Sequence, residues 1–587
     1  MIAFPLGVLC CLGIGQRLTG NNQHNSTLTV GIAAAGFFVL FGTVCTVLGF
    51  LGWLRASIMW PTMGTILFGV VWFTKPKVEM RSLSELTAIA LMVIPFFLMA
   101  MVPIWYRDSL TYHAAMAKQY VLSGGFHHGD LIVFSYFPQS WQSFLAGWIC
   151  LFPNGSLRLI SAWMTFFCAC TIHGIARETG ANHRQSITAT AVALLIPTFI
   201  EFGSALYVQN ALVLFASLTF FWAKSEDPRQ VRLAGVCAGL CASLKLSGLY
   251  IVLLIFVWRL WTKKHVTVFL FTALIFASPF YLRNAISTGN PFFPMMWTTF
   301  GGAGWDAWRA MAYETTLQHY GAGREAIDFL LLPVRMVMTR DMSQNFQGSI
   351  GPVAWTIILW GLYKRKDHFW TLSLAAWAVI WALNVQQIRF LMPLLPVMLA
   401  IASSHIPKSN RVMGALILSA VLWGFEPAQM LWKRQATTEV LTNKISKQDF
   451  LNQKLPENYP IEKWLNQQDF RKVWLVWMRG YHYYLEKPAR IDNVFGAWRF
   501  EKMLENTDDP LKLKAQLENA EIDAIVINHR FFLQDNNADT WEGRTAQLKM
   551  RFSRLIHSGA LTKQYTNGPV SVYSLSDSAS SLEDISE

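Results

Sequence analysis

From the first residues to about residue 428, long apolar runs alternate with short polar stretches. Val30 to Leu54 holds 25 residues without a charge, enough helix to cross a hydrocarbon core of about 30 Å at about 1.5 Å per residue. The same pattern predicts spans at 1–15, 30–54, 57–74, 87–105, 156–176, 186–203, 205–223, 232–245, 246–262, 266–282, 350–363, 369–385, 387–403 and 412–428. That is a polytopic transmembrane bundle of about 13–14 helices. The segment 139–152 (QSWQSFLAGWICLF) is apolar but short. If it does not cross, the basic loops KPKVEMR (75–81), RETGANHR (177–184), KSEDPRQVR (224–232), KKH (263–265), KRKDH (364–368) and the Lys408/Arg411 loop share one side. The positive-inside rule makes that side cytoplasmic, so 139–152 is expected to lie in the membrane interface.

After about residue 429 the pattern changes. KVWLVWM (472–478) and DAIVINH (523–529) read as short buried strands, 499–520 and 541–557 as amphipathic helices, and 564–575 as a hairpin. The expected organisation is therefore additional N-terminal helices over 1–84 and a transmembrane core over 85–428 with outer loops 106–155 and 283–349. An extracytoplasmic α/β domain over 429–575 and a polar, acidic, disordered tail over 576–587 complete it. The fold class is mainly α with a small C-terminal α/β domain.

Composition agrees. Of 587 residues 53% are hydrophobic and only 14% charged, where a soluble protein carries about 25%. The net charge of +13 fits Lys and Arg held in cytoplasmic loops rather than nucleic-acid binding. All eight cysteines lie in apolar runs without CxxC or Cys/His spacing, which suits packing and not zinc. The N-terminus has the length of a signal peptide's apolar core but lacks the basic start and cleavage site, and reads as a first span.

Candidate chemistry gathers at the outer ends of spans. WYRDSLTYH (105–113) sets Asp108 at the mouth of a helix, with Tyr112 and His113 one turn later if the segment is helical. On position alone, a hydrated helix-end carboxylate is as good a reading as a general base for a hydroxyl. His127, His128 and Asp130 follow on the same loop. Lys245, between two apolar runs, either snorkels or approaches an anion such as phosphate. Arg389 opens a span ahead of two prolines, and Arg283 closes another. One acid and three cations on one membrane face suit an anionic, membrane-embedded substrate. GAGREA (321–326) has no strand before it, and Walker A, HExxH and GxSxG are absent, so ATP or serine chemistry has no support.

YRDSLTYHAAMAKQYVLSGG and SYFPQSWQSFLAGWICLFPNGSLRLIS resemble the first outer loop of GT-C membrane glycosyltransferases, closest to the glycosyltransferase family 39 and aminoarabinose-transferase-like branch. GLCASLKLSGLYIVLL looks like that group's lysine-bearing segment, STGNPFFP like its outer-loop turn, and QQIRFLMPLLPVMLA like its late arginine-proline helix. The resemblance spans roughly residues 85–405. It implies a polyprenyl-phosphate sugar donor and Asp108 as catalytic base. Lys245 with Arg283, Arg389 or both would be on the leaving phosphate. The acceptor would be a lipid, glycan or protein, and the site would face outward from a bacterial inner membrane. Many relatives carry an aspartate where this chain has Gln209. That leaves open a divalent metal, with Glu201 as a substitute acid. The rival expectations are a transporter or flippase, which would show an internal repeat, a membrane scaffold displaying the C-terminal domain, and a ligase for preassembled lipid-linked glycans.

Overall fold

The computed structural model describes residues 2–19, 26–76, 83–126, 131–153, 155–340, 342, 345–478, 481–492, 498–507, 509–533 and 544–575. The chain divides into two compact units. The first comprises Met1–Val47, Ala56–Ile104 and Tyr136–Ile445; the second comprises Leu48–Arg55, Trp105–Ser135 and Ser446–Glu587.

The first unit is helical, and every span predicted above has a helix at its place. Among the described residues six helices are long and apolar enough to cross a membrane: Ser26–Leu51, Ala56–Thr74, Leu83–Ala100, Arg158–Glu178, Val266–Thr288 and Asn410–Arg434. The chain is an integral membrane protein. The span 1–15 is two short helices, Ala3–Cys10 and Leu12–Thr19, and two further predicted spans are broken at prolines. The span 186–203 is a pair, His183–Leu194 and Pro197–Ser204, bent by 75°, because Pro197 starts a new helix at its N-terminal turn. The span 387–403 is a short 3-10 turn at Ile388–Phe390 followed by an α-helix at Leu395–Ala402, with Pro393 and Pro396 between and at its start.

The helix Ser140–Leu151 forms as expected, but all of its residues are buried. An interfacial helix would turn one face to lipid. This one packs all round: the rings of Phe38, Trp141 and Phe144 lie nearly parallel, with Phe38 and Phe144 4.6 Å apart. Its 12 residues span only about 18 Å, too short to cross. The Ser140 hydroxyl donates to that of Ser243 at 2.9 Å, which ties the start of this helix to the end of Pro228–Leu244. The latter helix lies very close to Val266–Thr288. A Cβ at Gly239 would sit 2.3 Å from the Ala273 carbonyl oxygen, so the contact needs glycine.

The second unit carries a five-stranded sheet. Its strands are β1 (Val473–Val476), β2 (Ala489–Asp492), β3 (Ala524–Asn528), β4 (Leu561–Asn567) and β5 (Val570–Leu575), in the order β2-β1-β3-β5-β4. β1 runs parallel to β2 and β3, whereas β5 is antiparallel to β3 and β4. β1 and β3 are buried at every position, which is why their sequences read as continuous apolar runs. Trp474, Ile525, Ile527, Phe500, Leu517 and Phe552 belong to the core. The helix expected over 499–520 is two, Trp498–Asn506 and Pro510–Asn519. Asp509 caps the second by accepting from the Leu511 amide at 2.9 Å, and Pro510 occupies its first turn. The tail expected over 576–587 lies outside the described residues.

Candidate active site

Asp108 belongs to the second unit. The helix Leu83–Ala100 ends ahead of Pro103, and the chain resumes helical structure at Arg107. From Ser109 to His113 that structure is a π-helix: the Ala114 amide reaches back to the Ser109 carbonyl, five residues earlier. An α-helix then continues from Ala114 to Leu122. Asp108 sits half-buried at the start of the wide turn, while Ser109, Leu110, Thr111 and His113 are buried. A π turn inserts one residue and so rotates the two flanking stretches of helix by about 100° relative to each other, a distortion frequent at functional sites. Tyr112 packs against His113 at 4.4 Å and Phe134 at 5.1 Å between ring centres. Asp108, Tyr112 and His113 therefore share one short segment, as the sequence suggests. His127, His128 and Asp130 lie outside the described residues.

The cations belong to the first unit. Lys245 ends the helix Pro228–Leu244 in an extended conformation. The turn is tight, since the Gly248 amide donates to the Lys245 carbonyl at 2.8 Å and a Cβ on Gly248 would collide with the Cys241 carbonyl at 2.0 Å. The Lys245 ammonium lies 4.1 Å from the centre of the Phe390 ring, and the Arg389 guanidinium 5.6 Å from the same centre. Lys245 and Arg389 therefore lie within about 10 Å of each other, the sum of the two distances, around one aromatic ring. Arg389 is oriented by its Nε, which donates to Gln387 Oε1 at 2.8 Å. Gln387 in turn donates to Gln347 Oε1 at 2.7 Å.

Arg283 has different company. Its buried guanidinium donates to Asn284 Oδ1 at 2.8 and 3.1 Å and to the Phe137 carbonyl at 3.4 Å, and Asn284 donates to the Tyr136 carbonyl at 2.6 Å. Arg283 and Asn284 together support the backbone at Tyr136 and Phe137. The STGNPFFP turn is organised by Asn290, fully buried, which accepts from the Phe292 amide at 2.9 Å and donates to the Met295 and Gly301 carbonyls.

Glu201 lies half-buried on the helix Pro197–Ser204. Gln209 is buried near it in sequence, and Asn210 donates to Ser161, Thr165 and Phe202 oxygens, a structural role. A different group, Glu85, His173 and His183, has potential metal-ligand atoms all within 4.8 Å of one another. Both ring nitrogens of His173 are already engaged, by the Thr27 and Ser186 hydroxyls at 3.0 Å each. The group is a hydrogen-bonded helix junction.

Arg158 is a residue that the apolar-run pattern conceals. Fully buried, it donates to the carbonyls of Ser204, Val102 and Pro103 at 2.9, 2.8 and 3.1 Å and to Gln435 Oε1 at 2.6 Å. Its only signal in the sequence is a charge at the start of a span, in GSLRLIS.

A family described as SF2091/S2213 matches residues 446–544. No curated protein sequence matches the chain. Among solved structures it is similar to ArnT from Cupriavidus metallidurans bound to undecaprenyl phosphate, with a TM-score of 0.54 and 14% identity over 85% of this chain and 99% of that one. ArnT from the same organism in the apo state gives a TM-score of 0.52 and 12% identity over 84% and 98%. The fold is that of ArnT.

Proposed function

We propose that this chain is a membrane glycosyltransferase of the GT-C type, which moves a sugar from a polyprenyl-phosphate donor to an acceptor hydroxyl on the outer face of the membrane. The observation that carries the reading is the pair Lys245 and Arg389 at Phe390, in a fold that in one similar solved structure, ArnT, is bound to undecaprenyl phosphate. Asp108 takes the proton of the acceptor hydroxyl as its oxygen bonds to the anomeric carbon. The bond from that carbon to the phosphate oxygen breaks, and the polyprenyl phosphate leaves with one more negative charge. Lys245 and Arg389 stabilise that growing charge, with Arg283 holding the loop that begins after Ser135. Tyr112 and His113 line the acceptor side.

The test is purified protein given a polyprenyl-phosphate sugar. Release of free polyprenyl phosphate is expected, and Asp108→Asn should lower turnover by at least about a hundredfold with donor binding little changed. Near-normal turnover of Asp108→Asn would overturn the mechanism. Movement of intact donor across a bilayer would favour a flippase, and use of preassembled lipid-linked glycans alone would favour a ligase.

A further inference from the structure

β2 is an edge strand of the sheet, and an edge leaves backbone groups without ladder partners. On the inner side the Pro488 carbonyl accepts from the Val473 amide at 3.2 Å. On the other side the neighbours of Pro488 meet a single side chain. Gln119 Nε2 donates to the Lys487 carbonyl at 3.1 Å, and Gln119 Oε1 accepts from the Ala489 amide at 3.0 Å. One amide thus serves β2 as an added strand residue would. Gln119 is 2% exposed, so its bonds are shielded from water. It lies on the helix Ala114–Leu122, which continues the π turn from Asp108. Two further ties follow, one on the same helix and one further along the chain at Leu131. Lys118 Nζ donates to the Tyr483 carbonyl at 3.0 Å and pairs with Glu486. Arg499, paired at 2.7 Å with buried Asp492, donates to the Leu131 carbonyl at 3.3 Å.

We infer that the C-terminal α/β domain holds the Asp108 segment in working position, with Gln119 as the positioning residue. The inference rests on Asp108 being the base. From Asp108 to Gln119 runs about 16 Å of continuous helical backbone, so release at Gln119 frees the carboxylate end to drift. A misplacement of about 1 Å at the reacting group can cost on the order of a hundredfold in rate.

Three full-length variants in detergent test this. Gln119→Leu should lower kcat about tenfold or more while the donor KM stays within about twofold, the signature of a lost transition-state alignment. Hydrogen exchange should rise in residues 109–122, with β1 and β3 as protected as in the wild type. Gln119→Glu gives an independent reading. Protonated, its carboxyl keeps one donor for Lys487 and one acceptor for Ala489; ionised, it has no donor. Its turnover relative to wild type should be near unity at about pH 5.5 and fall about tenfold by about pH 8. If Gln119→Leu does not accumulate, Gln119→Glu decides the question: a turnover ratio near unity at about pH 8 while hydrogen exchange in residues 109–122 is raised overturns the inference. A folded Gln119→Leu with wild-type kcat also overturns it. Asp108→Asn separates the two ideas: if that variant is inactive while both Gln119 variants are normal, the positioning role fails alone. If it is fully active, both fall.

Discussion

At Phe390, a ring with no charge of its own organises two cations. The negative face of an aromatic ring attracts an ammonium or guanidinium without itself supplying a counter-charge. Lys245→Ala and Arg389→Ala should each weaken donor use by about 1.5–3 kcal/mol, the range for a hydrogen bond to a charged group. Both should remain extractable as folded protein. Phe390→Leu should have a smaller effect, about 0.5–2 kcal/mol in donor KM, and Phe390→Tyr should restore most of it. Steady-state kinetics over a range of donor concentrations reads all four. A Phe390→Leu enzyme as damaged as Lys245→Ala would mean that the ring contributes packing instead.

Among elements, the ends of helices carry the polar connections and the middles carry apolar burial. Arg158 shows how strongly those ends depend on one side chain. It joins the end of Leu83–Ala100, the end of Pro197–Ser204 and the residue after Asn410–Arg434. Arg158→Met would fill similar volume but leave the buried Val102 and Ser204 carbonyls and the Gln435 amide oxygen, with the half-buried Pro103 carbonyl, without their donor, at about 1–3 kcal/mol for each buried group left unsatisfied. Thermal unfolding in detergent should therefore show a large drop in midpoint, and an unchanged midpoint would rule out the hub role. The elements themselves were largely legible: uncharged runs gave the helices, and β1 and β3 stood out as apolar strands. β2 did not, because Ala489–Asp492 (ARID) mixes charges whose partners, Arg499 and the Trp474 indole N–H for Asp492 and the Trp474 ring for Arg490, lie outside the strand. The π turn after Asp108 was not legible either: from Ser109 to Tyr120 all residues but Tyr112 and Lys118 are buried, so there is no amphipathic stripe in which a shift of phase by one inserted residue would show.

For the molecule as a whole, the least legible feature was the partition into units. Trp105–Ser135 clusters with the C-terminal domain through contacts some 370 positions apart in the chain, and no local pattern encodes such a contact. The same unit buries Glu462, 3% exposed on the helix Asn458–Asn466. Burial pushes its carboxyl up to about 8 despite the nearby Lys118 charge. In the unfolded chain the group ionises near 4.5. Between these values the native state holds a proton that the unfolded state has released, so stability falls as pH rises from about 4.5 to about 8 and levels off above. Glu462→Gln should remove that slope and raise the unfolding midpoint at neutral pH. A variant no more stable than wild type at pH 7.5 and above would contradict it.

The Gln119–Ala489 pairing also has a meaning in time. A ribosome finishes the Asp108 segment hundreds of residues before it makes β2, and translation at about 5–20 residues per second separates the two by tens of seconds. During that interval the helices can enter the bilayer while the segment lacks its support. A nascent chain that stops short of residue 487 should therefore be inserted yet silent, and activity should appear only when synthesis is all but complete. On the function proposed above, an unfinished chain would then sit in the membrane without consuming donor.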